Sequence, residues 1–225
     1  MTSPTKTRTD EEIHRDVLEE LRWDARVQPN EIGVSVKDGV VTLTGWVDSY
    51  IKRWSAERAA ERVRGVRAVA NDIEVRLPAT ADRTDADIAD AARRALEWSS
   101  LVPSDSIRVT VSDGWVTLRG QTNWEFEKRE AERVVQRLAG VRGVTNLITV
   151  RPRLRAEPAE LKRKIEAALV RSAQTDAESI EVDIEDDKIV LRGTVRTWAE
   201  KEEAERVAWS APGVTAVDNR IMVLP

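Results

Sequence analysis

The chain has 225 residues, with 41% hydrophobic and 34% charged, no cysteine, a single histidine and a net charge of −4. These figures exclude a disulfide framework and a thiolate or His-rich metal centre. They also exclude the net basic footprint that non-specific nucleic-acid binding requires, so no nucleic-acid partner is expected.

Three copies of one unit fill the chain. Gly120 has counterparts at Gly45 and Gly193, offsets of 75 and 73 residues. The same offsets align Ala131 with Ala56 and Ala204, Gly140 with Gly65 and Gly213, and Asn146 with Asn71 and Asn219. Coincidences at fixed offsets mark a repeated supersecondary unit.

In chain order, residues 1–9 read as a disordered leader. The leader is polar and lacks the apolar h-region of a secretory signal. No apolar run approaches the ~20 residues of a membrane span. The expectation is a cytoplasmic chain, peripheral to the membrane at most, and periplasmic only if a signal peptide has been removed.

A helix opens at Asp10 or Glu11, with Ile13, Val17, Leu18 and Leu21 at helical spacing. Its counterparts carry Ile88, Ala92 and Leu96, then Leu161, Ile165 and Leu169. A first strand alternates through Ile32, Val34 and Val36, matched by Ile107, Val109, Val111 and by Ile180, Val182, Ile184. Asp38-Gly39 and Asp113-Gly114 predict type I′ hairpin turns. The third copy departs with Asp186-Asp187-Lys188.

The second strands, 40–45, 115–120 and 189–193, each end in a glycine that implies φ > 0 or a close backbone approach, here expected under the following helix. The second helix follows at 49–64, 124–138 and 198–211. Its buried stripe of small residues would let it lie close to a sheet. Gly65, Gly140 and Gly213 are expected as its C-caps. Last strands at 69–75, 144–150 and 217–223 close the units.

The fold class is therefore α+β: three tandem α-β-β-α-β units, each a small three-stranded mixed sheet with two helices on one face. The units span 10–78, 84–152 and 157–225. Short proline-bearing connections should hold them in a semi-rigid arrangement.

The pattern "V.v.dG.VtL.G.V", then a helix with "A...a", then "GV..V.N.I.V", resembles the BON domain of bacteria, and all three copies carry it. The resemblance implies a non-catalytic module. It also implies a family in which some members bind anionic phospholipid or attach to the cell envelope, and in which many are periplasmic and induced by osmotic stress.

Enzyme signatures are scarce. His14 is the lone histidine and reads as an idle surface residue. The glycines fall singly at turns, strand ends and caps, without a phosphate-binding loop. Glu181, Asp183, Glu185, Asp186 and Asp187 lack EF-hand spacing and read as a solvated strand face. No cofactor is expected.

The eight tryptophans are more informative. Where the second strand enters the second helix, rings sit beside cations: Tyr50, Lys52, Arg53 and Trp54; Trp124, Phe126, Lys128 and Arg129; Trp198 and Lys201. Such rings suit a membrane headgroup region, and neighbouring cations attract anionic lipid. Trp and Arg also anchor protein interfaces, a second copy of the chain included. Packing between repeats is the third reading. Trp23 and Trp98 follow the first helix at equivalent positions and are expected to cover their own cores.

Overall fold

The computed structural model describes residues 8–27, 31–153, 157–172, 179–185 and 188–224. Most of the leader and the Asp186-Asp187 part of the third turn lie outside the described residues. The elements run α1 (Asp10–Trp23), β1 (Ile32–Lys37), β2 (Val40–Val47), α2 (Tyr50–Glu61) and β3 (Ala68–Val75). The second repeat supplies α3 (Asp85–Trp98), β4 (Ile107–Ser112), β5 (Trp115–Thr122), α4 (Glu125–Val135) and β6 (Gly143–Val150). The third supplies α5 (Pro158–Arg171), β7 (Ile180–Glu185), β8 (Lys188–Val195), α6 (Trp198–Trp209) and a last strand in two pieces, β9 (Val217–Asn219) and β10 (Met222–Val223).

Each sheet is mixed, as the sequence implies. β1 pairs antiparallel with β2, and β2 parallel with β3; β4, β5 and β6 repeat the pattern, and β9 and β10 both pair parallel with β8. One apolar core per repeat lies between the sheet and its two helices. In the first repeat Ile13, Val17 and Leu21 of α1 meet Ala56, Ala59 and Ala60 of α2 over Val41, Leu43 and Ile73. The alanines bring α2 close to the sheet because no branched side chain holds it away. The opposite sheet face is mixed: Thr42, Thr44 and Thr117 share it with the part-exposed Trp46 and Trp115, and in the third repeat Arg192 bridges Asp183 and Glu185.

Side chains of α1 and α3 brace the hairpins from below. Asp10, at the first position of α1, accepts from the backbone amides of Asp38 and Gly39, both at 2.8 Å. Asp85 does the same for Asp113 at 2.9 Å and Gly114 at 2.8 Å. Both turns are type I′, with φ 52° at the aspartate and 75° at the glycine. The helix starts are capping boxes, Thr9 with Glu12 and Thr84 with Asp87. The third repeat carries Glu157 and Pro158 at these two places, so α5 has neither device.

Arg8, assigned to the leader by sequence, is held: it pairs with Asp16 and donates to the Arg64 carbonyl at 2.8 Å. His14 is not idle either, because its Nε2 donates to the Val34 carbonyl at 3.1 Å and ties α1 to β1.

The three aligned glycines do not end their strands. β2, β5 and β8 each continue two residues beyond them, still paired with the parallel strand after the hairpin partner has stopped. At Gly45, Gly120 and Gly193 φ is 113°, 148° and 126°. A Cβ would lie 2.0, 2.0 and 1.9 Å from the carbonyl oxygens of Glu31, Ser106 and Ser179. The close approach is therefore to the chain entering the hairpin, not to the helix above.

Gly65, Gly140 and Gly213 are not C-caps in the expected sense. The caps are Arg62, Gln136 and Ser210 in right-handed conformation, and the glycines take positive φ three or four residues later. There the chain turns toward the last strand. At Gly65 and Gly140 a Cβ would press on Ile13 and Ile88, at 3.1 and 2.9 Å.

Gly120→Val should cost the middle repeat roughly 2–4 kcal/mol, combining backbone strain with a backbone clash. Calorimetry should resolve a drop of about 8 °C or more in at least one transition. A profile unchanged within about two degrees would show that the strand absorbs the side chain.

Candidate functional site

Each second helix is pinned to its last strand by one asparagine. Asn71, Asn146 and Asn219 donate to the carbonyls of Arg53, Lys128 and Lys201 at 3.4, 3.0 and 3.0 Å. They also donate to the carboxylates of Glu57, Glu132 and Glu205 at 2.9, 3.1 and 3.1 Å. Their Oδ1 atoms accept from the amides of Ile73, Ile148 and Ile221. The alignment flagged these positions without revealing what they bind.

This pinning fixes where each second helix begins, and its first residue reaches into the next repeat. The three first residues are Tyr50, Glu125 and Trp198. Tyr50 packs against the core of repeat two, with its hydroxyl meeting the Val144 backbone amide beside Glu132. Glu125 is buried at the boundary with repeat three, beside Glu205, the counterpart of Glu132. Trp198 packs against the core of repeat one, its indole nitrogen buried without a hydrogen-bond partner. Repeat one contacts two, two contacts three, and three contacts one. The repeats therefore close into a ring about a pseudo-threefold axis.

Ring closure engages Tyr50 and Trp198, while most of the other ring-plus-cation residues find partners within their own repeat. Lys52 pairs with Asp48 at 2.7 Å, and Arg53 donates to the Asn71 carbonyl at 2.9 Å. Trp54 is half-buried under the Arg58 guanidinium, 5.3 Å from its centroid, and Lys201 stands 5.0 Å over Trp198. Trp124 and Phe126 stack at 6.4 Å; Phe126 is exposed, and Arg129 makes one long contact, 3.4 Å, to Glu125. The junctions thus gather Tyr50 and Trp198 between repeats, while Phe126 and Arg129 line an open cleft between repeats two and three.

Trp23 and Trp98 do the opposite of what the sequence suggested. They are 86% and 88% exposed, at the last positions of α1 and α3. The core-facing places of those helices are already filled by Leu21 and Leu96, and two residues further on a side chain projects about half a turn away, on the opposite face. Behind Trp23, Asp24 accepts from the Arg26 guanidinium at 2.9 and 2.7 Å and from its amide at 3.1 Å. That pairing holds the Asp24 carboxyl down at about 2 and makes the helix end rigid. The third repeat has Arg171 at the equivalent place.

Among the described residues no cluster of acidic, histidine or cysteine side chains could hold a metal ion. The acidic face of β7 is engaged by Lys162, Arg192 and Arg220.

Burial pushes the Glu125 carboxyl up from 4.5, with Lys128 and Arg129 opposing and Glu205 adding to the rise. For a carboxyl raised in the folded state, the penalty of ionisation is absent below the ordinary value. It is complete above the folded value, so stability is lost as pH rises between them. Glu125→Gln should therefore melt above the parent at about pH 8 and together with it at about pH 4. Thermal scans at the two pH values check this, and a variant less stable at the higher pH would contradict it.

The family model for the BON domain matches residues 9–76, 84–152 and 158–225. The osmotically-inducible protein Y of Escherichia coli (strain K12) is 29% identical over 124 residues, covering 53% of this chain and 62% of that protein. The chain thus matches under two thirds of that relative's length. Among solved structures, CdsD, a structural protein of the type III secretion system of Chlamydia trachomatis, covers 95% of this chain and 93% of its own at 14% identity and a TM-score of 0.27. Its C-terminal domain covers 97% and 100% at 13% identity, with the same TM-score of 0.27. The three family matches, one for each α-β-β-α-β unit of the ring, place this chain in the BON domain family.

Proposed function

We propose that this ring of BON domains is a non-catalytic, stress-related binding module that attaches to anionic phospholipid surfaces through Trp23 and Trp98. The observation that carries this reading is the near-complete exposure of those two indoles at equivalent helix ends. Two indoles left uncovered at the same place in two repeats offer large apolar rings to a partner surface. Trp is a residue of the membrane headgroup region, where its apolar body and its N–H are both accommodated.

Both indoles stand at the last position of equivalent helices, so each offers an uncovered ring to a surface. A ring burying ~150 Å² contributes about 4 kcal/mol gross at ~25 cal/mol per Å². Set against the cost of association, two rings give a reversible attachment. Arg22 beside Trp23 supplies a cation worth about 1 kcal/mol near an anionic surface, whereas Arg94, one turn before Trp98, is paired with Asp90. The attachment is peripheral: among the described residues no helix is long and apolar enough to cross a membrane. The similarity to an osmotically inducible protein supports the stress context.

Flotation with phosphatidylglycerol vesicles at low salt tests the reading. The parent should co-float, and Trp23→Ala with Trp98→Ala together should cut the bound fraction about tenfold or more. Trp54→Ala should leave it unchanged. A parent that stays in the bottom fraction at low salt defeats the proposal. If it does so while forming concentration-dependent dimers in light scattering, the same rings serve a second copy of the chain instead.

A further inference from the structure

The three junctions of the ring are built on one plan and differ in charge. Between repeats three and one, Arg58 of α2 forms an ion pair with Glu202 of α6. Moving each residue to its counterpart one repeat back converts this pair into Arg206 of α6 and Arg129 of α4. Two cations therefore occupy the place where the neighbouring junction has a cation and an anion. Both line one cleft of about 390 Å³ between repeats two and three. That size lies within the range of small-molecule sites.

The cleft is apolar where its counterpart is polar. Trp124 and Phe126 form one wall and Trp209 faces them from the third repeat. In the junction between repeats three and one, the positions of Phe126 and Trp209 are taken by Ala199 and Glu61.

The acidic side chains nearby are already engaged. Glu130 holds Arg133 at 2.6 and 2.8 Å, and Glu203 holds Arg206 at 2.7 and 2.6 Å while accepting from Ser172 at 3.1 Å. Glu125 reaches the Arg129 Nε at 3.4 Å, and its other oxygen is buried, away from the cleft's solvent. The terminal nitrogens of Arg129 make no hydrogen bond among the described residues, and Arg206 keeps one terminal nitrogen unused.

We propose that this cleft binds a small organic anion with a flat apolar body, its charge held between Arg129 and Arg206 and its body against Trp124, Phe126 and Trp209. The anion supplies the partner that Glu202 supplies at the neighbouring junction. Guanidinium pairs suit carboxylate, sulfonate or phosphate groups, and the rings give the body a surface to stack on. The site is separate from the exposed indoles of Trp23 and Trp98, so the two readings stand or fall independently.

The test uses 2-naphthoate as the probe and neutral 2-naphthamide as its control, followed by titration calorimetry and by the indole N–H signals of the full chain. The naphthoate should bind, with shifts concentrated at Trp124 and Trp209, and the amide should bind at least about tenfold more weakly. Arg129→Glu recreates an ion pair of the Arg58–Glu202 kind. It should weaken naphthoate about tenfold or more. Arg129→Gln should weaken binding without adding the ion pair. Absence of naphthoate binding, equal binding of the amide, unchanged binding in both variants, or shifts centred on Trp23 and Trp98 would each overturn the proposal.

Discussion

One side chain, repeated three times, fixes the geometry on which everything else rests. The asparagine on each last strand fastens the second helix through its own backbone carbonyl, a helix glutamate and a strand amide. An amide side chain can serve both directions because it carries donors and an acceptor on one short stem. Aspartate would lose the two donor bonds, and leucine would leave a carbonyl and a carboxylate to solvent. With the helix fixed in height and rotation, its first residue must project beyond its own repeat. Closure of the ring follows from that projection.

Closure then turns three similar units into three different surroundings. The residue that projects is a phenol in one junction, a carboxylate in the next and an indole in the third. Each finds a different degree of satisfaction: the phenol meets a backbone amide, while Glu125 and Trp198 each leave a buried polar atom unmatched. Buried atoms of that kind are rare and costly, and two of three sit where repeat three meets its neighbours. The third repeat also lacks the capping box and the aspartate clamp beneath its hairpin. Divergence has therefore concentrated in one unit and its borders, while the cores stay alike.

The sequence made the fold legible because its signals were local and repeated. Alternation in the strands, the Asp-Gly turns and the aligned glycines each constrain a few neighbouring residues, and three copies average out the exceptions. The site was harder to read. Whether Tyr50 and Trp198 face solvent depends on the angle between repeats, which no residue within a repeat encodes by itself. Trp23 and Trp98 were misread for a related reason. Their apolar character suggested the core, but the helical period had already assigned the core to Leu21 and Leu96, and a ring two residues further on points elsewhere. The facing arginines became visible only once equivalent positions could be compared across a junction.

A closed ring also changes how the chain can be cut or extended. In a linear array a terminal unit can be lost with little harm to the rest. Here the core of repeat one is partly roofed by Trp198, more than 120 residues further along the chain. A chain released before its third repeat is finished would therefore carry an open apolar face at its beginning, and proteolytic loss of the C-terminal unit would expose the same face. Completeness of synthesis is thus written into the surface, where a chaperone or protease can read it. Duplicating or deleting one unit would demand a new closure angle at every junction at once, which ties the number of repeats to the shape of each.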